Sequence, residues 1–250
     1  MLVYAHRGAP GIDNVGARLK GENTMGIFNK AVWNGARALE FDVRLSKDRQ
    51  AVVIHDATID RTTIGHGPVH SYFIDQLSQQ DAGFGYGIPK LDNVFNAFGS
   101  SLLYNVELKE KSTENVTVNT ICRYKLRSRI LLSAFDSFDN EEGASSSWNQ
   151  LNYGKDLGIA TALLATERKI IDMGRGNLTE GWGVFIEEAR KRGARALHPE
   201  NSAVTSLYYI KGAHSVGLLV NVWTVNDSKR IQELREWGAD GIITDCPEFL

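Results

Sequence analysis

Four stretches of the chain carry side chains suited to chemistry on a phosphoryl group. In ALEFDVRL (38–45), strand alternation puts Leu39, Phe41 and Val43 on one face and Glu40, Asp42 and Arg44 on the other. Two carboxylates cannot enter a helix-packed apolar layer without a large desolvation cost, so their face is expected to point into the interior of a closed sheet. LLYNVELKE (102–110) places Asn105, Glu107 and Lys109 on one face, near the C-terminal end of a strand. Glu40, Asp42 and Glu107 then offer three hard oxygen ligands, the preference of Mg²⁺ or Ca²⁺. YAHRGAPG (4–11) ends a strand in His6 and Arg7. The short link SKDRQ (46–50) joins 38–45 to AVVIHD (51–56), which demands an antiparallel hairpin. A turn at Asp48-Arg49 sets His55 opposite Asp42, on the acidic face. Two imidazoles can divide the tasks of accepting and donating a proton near neutral pH. Arg7, Lys109 and a divalent cation suit a phosphoryl group whose oxygens gain charge in transit. These residue types point to phosphodiester hydrolysis.

Such a site needs strands that end side by side. Strand patterns occur at 2–6, 38–45, 102–108, 130–135, 160–165, 194–198, 218–225 and 241–245. Amphipathic segments at 24–36, 180–194 and 228–239 lie among them; the last carries Ile231, Leu234 and Trp237 at helical spacing before Gly238. Eight strands alternating with helices imply parallel pairing by right-handed crossovers. The expected fold class is α/β, a TIM (β/α)8 barrel, whose usual size of ~250 residues matches the 250 of this chain. An open doubly wound sheet is the competitor, but no GxGxxG follows the first strand. Residues 57–90 are rich in turn formers and weak in periodicity, and are read as a small insertion within a single domain spanning 1–250.

Composition narrows the partners. A net charge of −2, from 28 basic and 30 acidic residues, makes no electrostatic case for nucleic acid or an anionic membrane. Cys122 and Cys246 are far apart and lack a CxxC partner, which argues against a disulfide framework or structural zinc. The N-terminal segment turns polar after five residues, and no apolar run approaches the ~20 residues of a membrane span. A cytoplasmic protein without stable membrane insertion is expected.

The ordered set AHRG, ENT (22–24), LEFDVRLSKDRQAVVIHD (39–56), DRTTIGHG (60–67), IPKLDNVF (88–95), VELK (106–109), LSAFD (132–136), VWTVND (222–227) and GIITDCP (241–247) resembles the glycerophosphodiester phosphodiesterase family. The resemblance implies a TIM barrel that hydrolyses glycerophosphodiesters, such as glycerophosphocholine or glycerophosphoethanolamine, to sn-glycerol 3-phosphate and an alcohol. It implies Glu40, Asp42 and Glu107 as metal ligands for Ca²⁺ or Mg²⁺, His6 as proton acceptor and His55 as proton donor. Arg7 and Lys109 would hold the phosphate, and Phe135 and Trp223 would wall the substrate pocket. Asn23 or Thr24 reads as a helix cap, Glu22 as a brace for Arg7, Asp56 as a group orienting His55 or the hairpin, and Asp245 as a turn residue. His198 could line the pocket. The stretch 11–24 is longer than the family's usual link, Gly21 stands where a proline is common, and residues 137–190 match poorly. Competing functions are a lysophospholipase D-like phosphodiesterase, which needs an apolar tunnel, a metal-free phospholipase C-like barrel, against which the acid trio argues, and an inactive barrel serving as a scaffold.

Overall fold

The computed structural model describes residues 1–136 and 148–249. Nine strands lie among them: β1 (Leu2–His6), β2 (Ala38–Leu45), β3 (Ala51–Val53), β4 (Leu103–Leu108), β5 (Ile130–Phe135), β6 (Ala160–Ala165), β7 (Ala196–Pro199), β8 (Leu219–Val222) and β9 (Gly241–Thr244). All but β3 run parallel in the order β1-β2-β4-β5-β6-β7-β8-β9, and β9 pairs back onto β1. The sheet is therefore a closed eight-stranded TIM barrel, with His6, Asp42 and Glu107 in the C-terminal halves of β1, β2 and β4, toward its C-terminal mouth.

The helices are α1 (Met25–Trp33), α2 (Ile74–Leu77), α3 (Leu91–Phe98), α4 (Thr113–Arg123), α5 (Leu151–Asp156), α6 (Glu167–Met173), α7 (Leu178–Arg192), α8 (Leu207–Ser215) and α9 (Ser228–Trp237). Their ends follow local chemistry. The Thr24 hydroxyl accepts from the Ile27 N–H at the start of α1, and Asp227 accepts from the Arg230 N–H at the start of α9. Gly193 and Gly238 stop α7 and α9 in the left-handed conformation, which lacks a steric penalty only for glycine.

The strand faces separate as alternation requires. Leu39, Phe41 and Val43 join the apolar layer between barrel and helices, where the Phe41 ring lies 5.8 Å from Phe28, 6.4 Å from Phe95 and 6.2 Å from Tyr104. Inside the barrel, two separate apolar clusters form, one around Leu131, Ala162 and Ala196 and the other around Tyr4, Ala38 and Ile243. Charged inward side chains gather at the mouth.

The hairpin register differs from the expected one by a residue. Val43 pairs with Val53 and Leu45 with Ala51, because the loop has three residues, Lys47-Asp48-Arg49, closed by a 3.0 Å bond from Ser46 N to Gln50 O. Arg49 takes the left-handed position (φ 57°) characteristic of three-residue hairpin loops. Ile54, not His55, thus follows as the neighbour of Asp42, its N–H donating to the Asp42 carbonyl at 3.1 Å. Regular pairing stops at Val53, and the chain turns so that His55 still reaches the acidic face. Residues from 57–90 pack Ile59, Val69, Leu77, Ala82 and Ile88 against Val52 and Ile54 of this hairpin.

Phe41 has no exposed surface and contacts rings from two helices and a neighbouring strand. Phe41→Ala is expected to lower the unfolding free energy by about 3–5 kcal/mol in a urea titration.

Candidate active site

After β1 the backbone folds back at once, with the Gly8 N–H donating to Ala5 O at 3.0 Å. Gly8 has φ 89°, and a Cβ there would meet Ile27 Cγ2 at 2.5 Å, so both conformation and space demand glycine. This turn presents the Arg7 N–H to Glu40 Oε2 at 3.0 Å and sets Arg7 Nε 3.4 Å from Asp42 Oδ2. Parallel register brings Asp42 level with Glu107 on β4. One oxygen from each of Glu40, Asp42 and Glu107 lies within 4.8 Å of the others. Lys109, just past β4, donates to Glu107 Oε1 at 2.6 Å and sits 3.8 Å from Asp42 Oδ1. Asn23 Nδ2 donates to Asp42 Oδ2 at 2.9 Å; Thr24 is the helix cap, and Asn23 belongs to the acidic cluster.

Glu40 and Asp42 are 2% and 1% exposed. Burial, then the charges of Asp42 and Glu107, push the Glu40 carboxyl well above its ordinary value. Burial also works to raise Asp42, but Arg7, His55 and Lys109 outweigh it and hold that carboxyl well below the carboxylate range. Asp42 Oδ1 is buried without a hydrogen-bond partner. Three converging carboxylates with an orphaned oxygen fit a hard divalent cation, and Mg²⁺ or Ca²⁺ would be held here by Glu40, Asp42 and Glu107.

Each imidazole has its own carboxylate. His6 Nδ1 lies 2.9 Å from Asp245 Oδ1, and its Nε2 lies 3.8 Å from Glu40 Oε2. Burial lowers the His6 pKa to about 4, against the opposing hydrogen bond to Asp245, and so favours the neutral ring. His55 Nδ1 lies 2.7 Å from Asp56 Oδ1, and its Nε2 is 3.0 Å from Lys109 Nζ. Asp56 does orient His55; Asp245, read from the sequence as a turn residue, orients His6.

Phe135 and Trp223 meet edge to face, 5.4 Å between ring centroids. Lys109 Nζ lies 5.6 Å from the Phe135 centroid, which joins this pair to the charged cluster. Trp223 is steered by its Nε1–H, which donates to His198 O at 2.8 Å. His198 itself is fully buried in the barrel, bonded to Asn221 at 2.9 Å.

Sequence reasoning missed Arg18 and Arg61. Glu22, expected to brace Arg7, does so at 3.0 Å and also accepts from Arg18 at 3.2 Å and from Arg61 at 2.8 and 2.9 Å. Arg61 bonds Asp56 as well, at 2.6 and 2.8 Å. One buried carboxylate thus ties the loop after β1 to the segment after β3.

The glycerophosphoryl diester phosphodiesterase family model matches residues 6–249. The chain belongs to this family. It is 30% identical to the glycerophosphodiester phosphodiesterase of Caldanaerobacter subterraneus subsp. tengcongensis, over 100% of this chain and 96% of that protein. The glycerophosphodiester phosphodiesterase of Thermotoga maritima superposes with a TM-score of 0.75 at 26% identity, covering 100% of this chain and 96% of that one. An Oleispira antarctica phosphodiesterase, solved in complex with its product sn-glycerol 3-phosphate, shares the fold at TM-score 0.79 and 23% identity, over 100% and 94% of the two chains. As a glycerophosphodiester phosphodiesterase, the chain is a phosphoric diester hydrolase.

Burial works to raise the Glu22 carboxyl, and the hydrogen bonds from Arg61 with the charges of Arg7 and Arg18 reverse this, bringing it from 4.5 to about 2. A depressed carboxylate stabilises the fold above its unfolded value and stops doing so as pH falls through the folded one. Unfolding free energy measured from pH 6 to 2 is therefore expected to fall more steeply in the wild type than in Glu22→Gln, the difference developing below about pH 4.5 and reaching on the order of 3 kcal/mol.

Proposed function

We propose that the site hydrolyses small glycerophosphodiesters, glycerophosphocholine and glycerophosphoethanolamine among them, to sn-glycerol 3-phosphate and the free alcohol by two-histidine acid–base catalysis. The carrying observation is the pair of imidazoles, each held by a carboxylate at 2.9 and 2.7 Å, flanking one acidic cluster. Arg7 and Lys109 bind the phosphoryl oxygens, and Phe135 with Trp223 form the wall against which the glycerol or alcohol part lies. The charged side chains that converge at the mouth suit a small charged diester.

His6 Nε2 accepts the proton of the glycerol 2-hydroxyl as that oxygen attacks phosphorus. The bond from phosphorus to the alcohol oxygen breaks, and His55 gives that oxygen a proton. His55, now neutral, takes a proton from water, which opens the cyclic phosphate, and His6 returns its proton to the 2-oxygen. The products are sn-glycerol 3-phosphate and the alcohol, with both histidines restored. A phosphate oxygen that draws the Lys109 ammonium toward itself leaves His55 Nε2 to the proton it must donate. A divalent cation bound by Glu40, Asp42 and Glu107 supplies charge neutralisation for the phosphoryl group.

Two measurements test this reading. EDTA-stripped protein given Mg²⁺ or Ca²⁺ is expected to melt at a higher temperature, and Glu40→Gln is expected to abolish that rise. Release of sn-glycerol 3-phosphate from glycerophosphocholine is expected to require the metal and to fall by at least ~100-fold in His6→Ala and His55→Ala. Turnover of lysophosphatidylcholine with none of glycerophosphocholine would place the enzyme among the lysophospholipase D-like phosphodiesterases instead.

A further inference from the structure

Arg18 belongs to the long connection after β1, in a small hairpin where Ile12 bridges Arg18 and the Asp13 N–H donates to Ala17 O at 2.8 Å. Its guanidinium reaches back to the last barrel strand. Nε lies 2.6 Å from Asp245 Oδ1, Nη2 lies 3.2 Å from Asp245 Oδ2 and 3.0 Å from His6 Nδ1, and Nη1 lies 3.2 Å from Glu22 Oε2. We propose that Arg18 is a positioning residue, which locks the Asp245 carboxylate in the plane that keeps the His6 proton on Nδ1 and the lone pair on Nε2, toward the acidic cluster. The inference rests on the proton-accepting role of His6 set out above.

His6 Nδ1 has two neighbours that ask for opposite tautomers. Asp245 Oδ1 at 2.9 Å requires Nδ1 to donate, whereas Arg18 Nη2 at 3.0 Å would have it accept. The acceptor count decides. An ionised carboxylate offers about four lone-pair positions. Arg18 Nε, Arg18 Nη2 and Asn226 Nδ2 fill three of those on Asp245, and the fourth faces His6 Nδ1. A lone pair on Nδ1 would oppose an ionised carboxylate oxygen at 2.9 Å and leave the carboxylate's fourth position unfilled, a cost that the single Arg18 Nη2 contact would have to offset. Three of the five Arg18 N–H groups have carboxylate acceptors on Asp245 and Glu22, so the guanidinium is held in place without the imidazole.

Arg18 therefore acts on His6 through Asp245. Two parallel N–H···O contacts from a planar guanidinium fix a carboxylate's orientation as a single bond does not. Glu22 in turn holds Arg18. Removing Arg18 frees the Asp245 carboxylate to rotate and lets the Nε2–H tautomer form, in which His6 cannot accept the attacking hydroxyl's proton.

The test pairs steady-state kinetics with ¹⁵N NMR of the histidine rings in the full chain, His6 being assigned by its loss in His6→Gln. Wild type is expected to show His6 protonated at Nδ1. Arg18→Ala and Arg18→Gln are expected to show a mixture with Nε2–H, with kcat on glycerophosphocholine reduced ~10–100-fold, KM within about twofold, and Arg18→Lys retaining part of the rate. An Nε2–H wild type would overturn the proposal. So would variants whose His6 spectrum and kcat match wild type, or whose kcat falls with the melting temperature while the tautomer stays the same. The ring spectrum needs no turnover, so a wild type inactive on glycerophosphodiesters would defeat the proposed reaction while the tautomer still decides the role of Arg18.

Discussion

Three carboxylates forced together in a buried barrel mouth set the terms for everything around them. Glu40, Asp42 and Glu107 point inward because the opposite faces of their strands are committed to the helix-packed core. Like charges at this separation destabilise one another, and burial removes the water that would screen them. The surroundings answer with cations and donors: the Arg7 N–H on Glu40, Asn23 on Asp42, and Lys109 on Glu107. The groups that make the cluster tolerable are those placed to meet an anionic diester. Stability and function at this mouth have a common electrostatic origin.

A second layer organises the first. Glu22 sits beneath three guanidinium groups, Arg7, Arg18 and Arg61, each of which has another carboxylate partner. Arg7 leads to Asp42, Arg18 to Asp245 and His6, and Arg61 to Asp56 and His55. Both imidazoles are thus connected to one buried carboxylate through arginines contributed by different loops. Planar guanidinium forks transmit orientation better than ammonium groups, whose donors rotate about one axis. That distinction suits arginine at the imidazole-orienting acids, whereas the acidic cluster takes both Arg7 and Lys109.

Much of the barrel was legible in local pattern. Strands 2–6, 38–45, 130–135 and 160–165 run as their alternation indicated. The inward carboxylates of β2 followed from alternation and desolvation, and Glu107 of β4 from its face and its place near the strand end. The hairpin register did not, because a left-handed residue within a three-residue loop leaves little trace when that residue is arginine and not glycine. Asp245 and Arg18 were illegible for a different reason. His6 and Asp245 are 239 positions apart and meet only because β1 and β9 close the barrel. Barrel closure could have suggested the pairing, since a residue just past the last strand must lie beside one at the end of the first. Nothing comparable marks Arg18 or Arg61, whose loops have no periodicity.

His55 shows why a wrong register can still lead to the right neighbourhood. Had the ladder continued, the observed register would have turned His55 toward the helix layer, opposite Phe41. The ladder stops at Val53 instead, and the Ile54 N–H makes one last bond to Asp42 O. The backbone then turns, Arg44 Nε donates to His55 O at 2.7 Å, and the imidazole comes between Lys109 and Asp56. Arg44 is 1% exposed and also bonds Glu110 at 3.1 Å, so the carbonyl of His55 is held by a side chain anchored on its far side. The inward Arg44, on the same face as the acids, thus performs the positioning that strand pairing does not. Irregular backbone is tolerated there because its carbonyl has a charged donor, and that donor fixes the irregularity in one form.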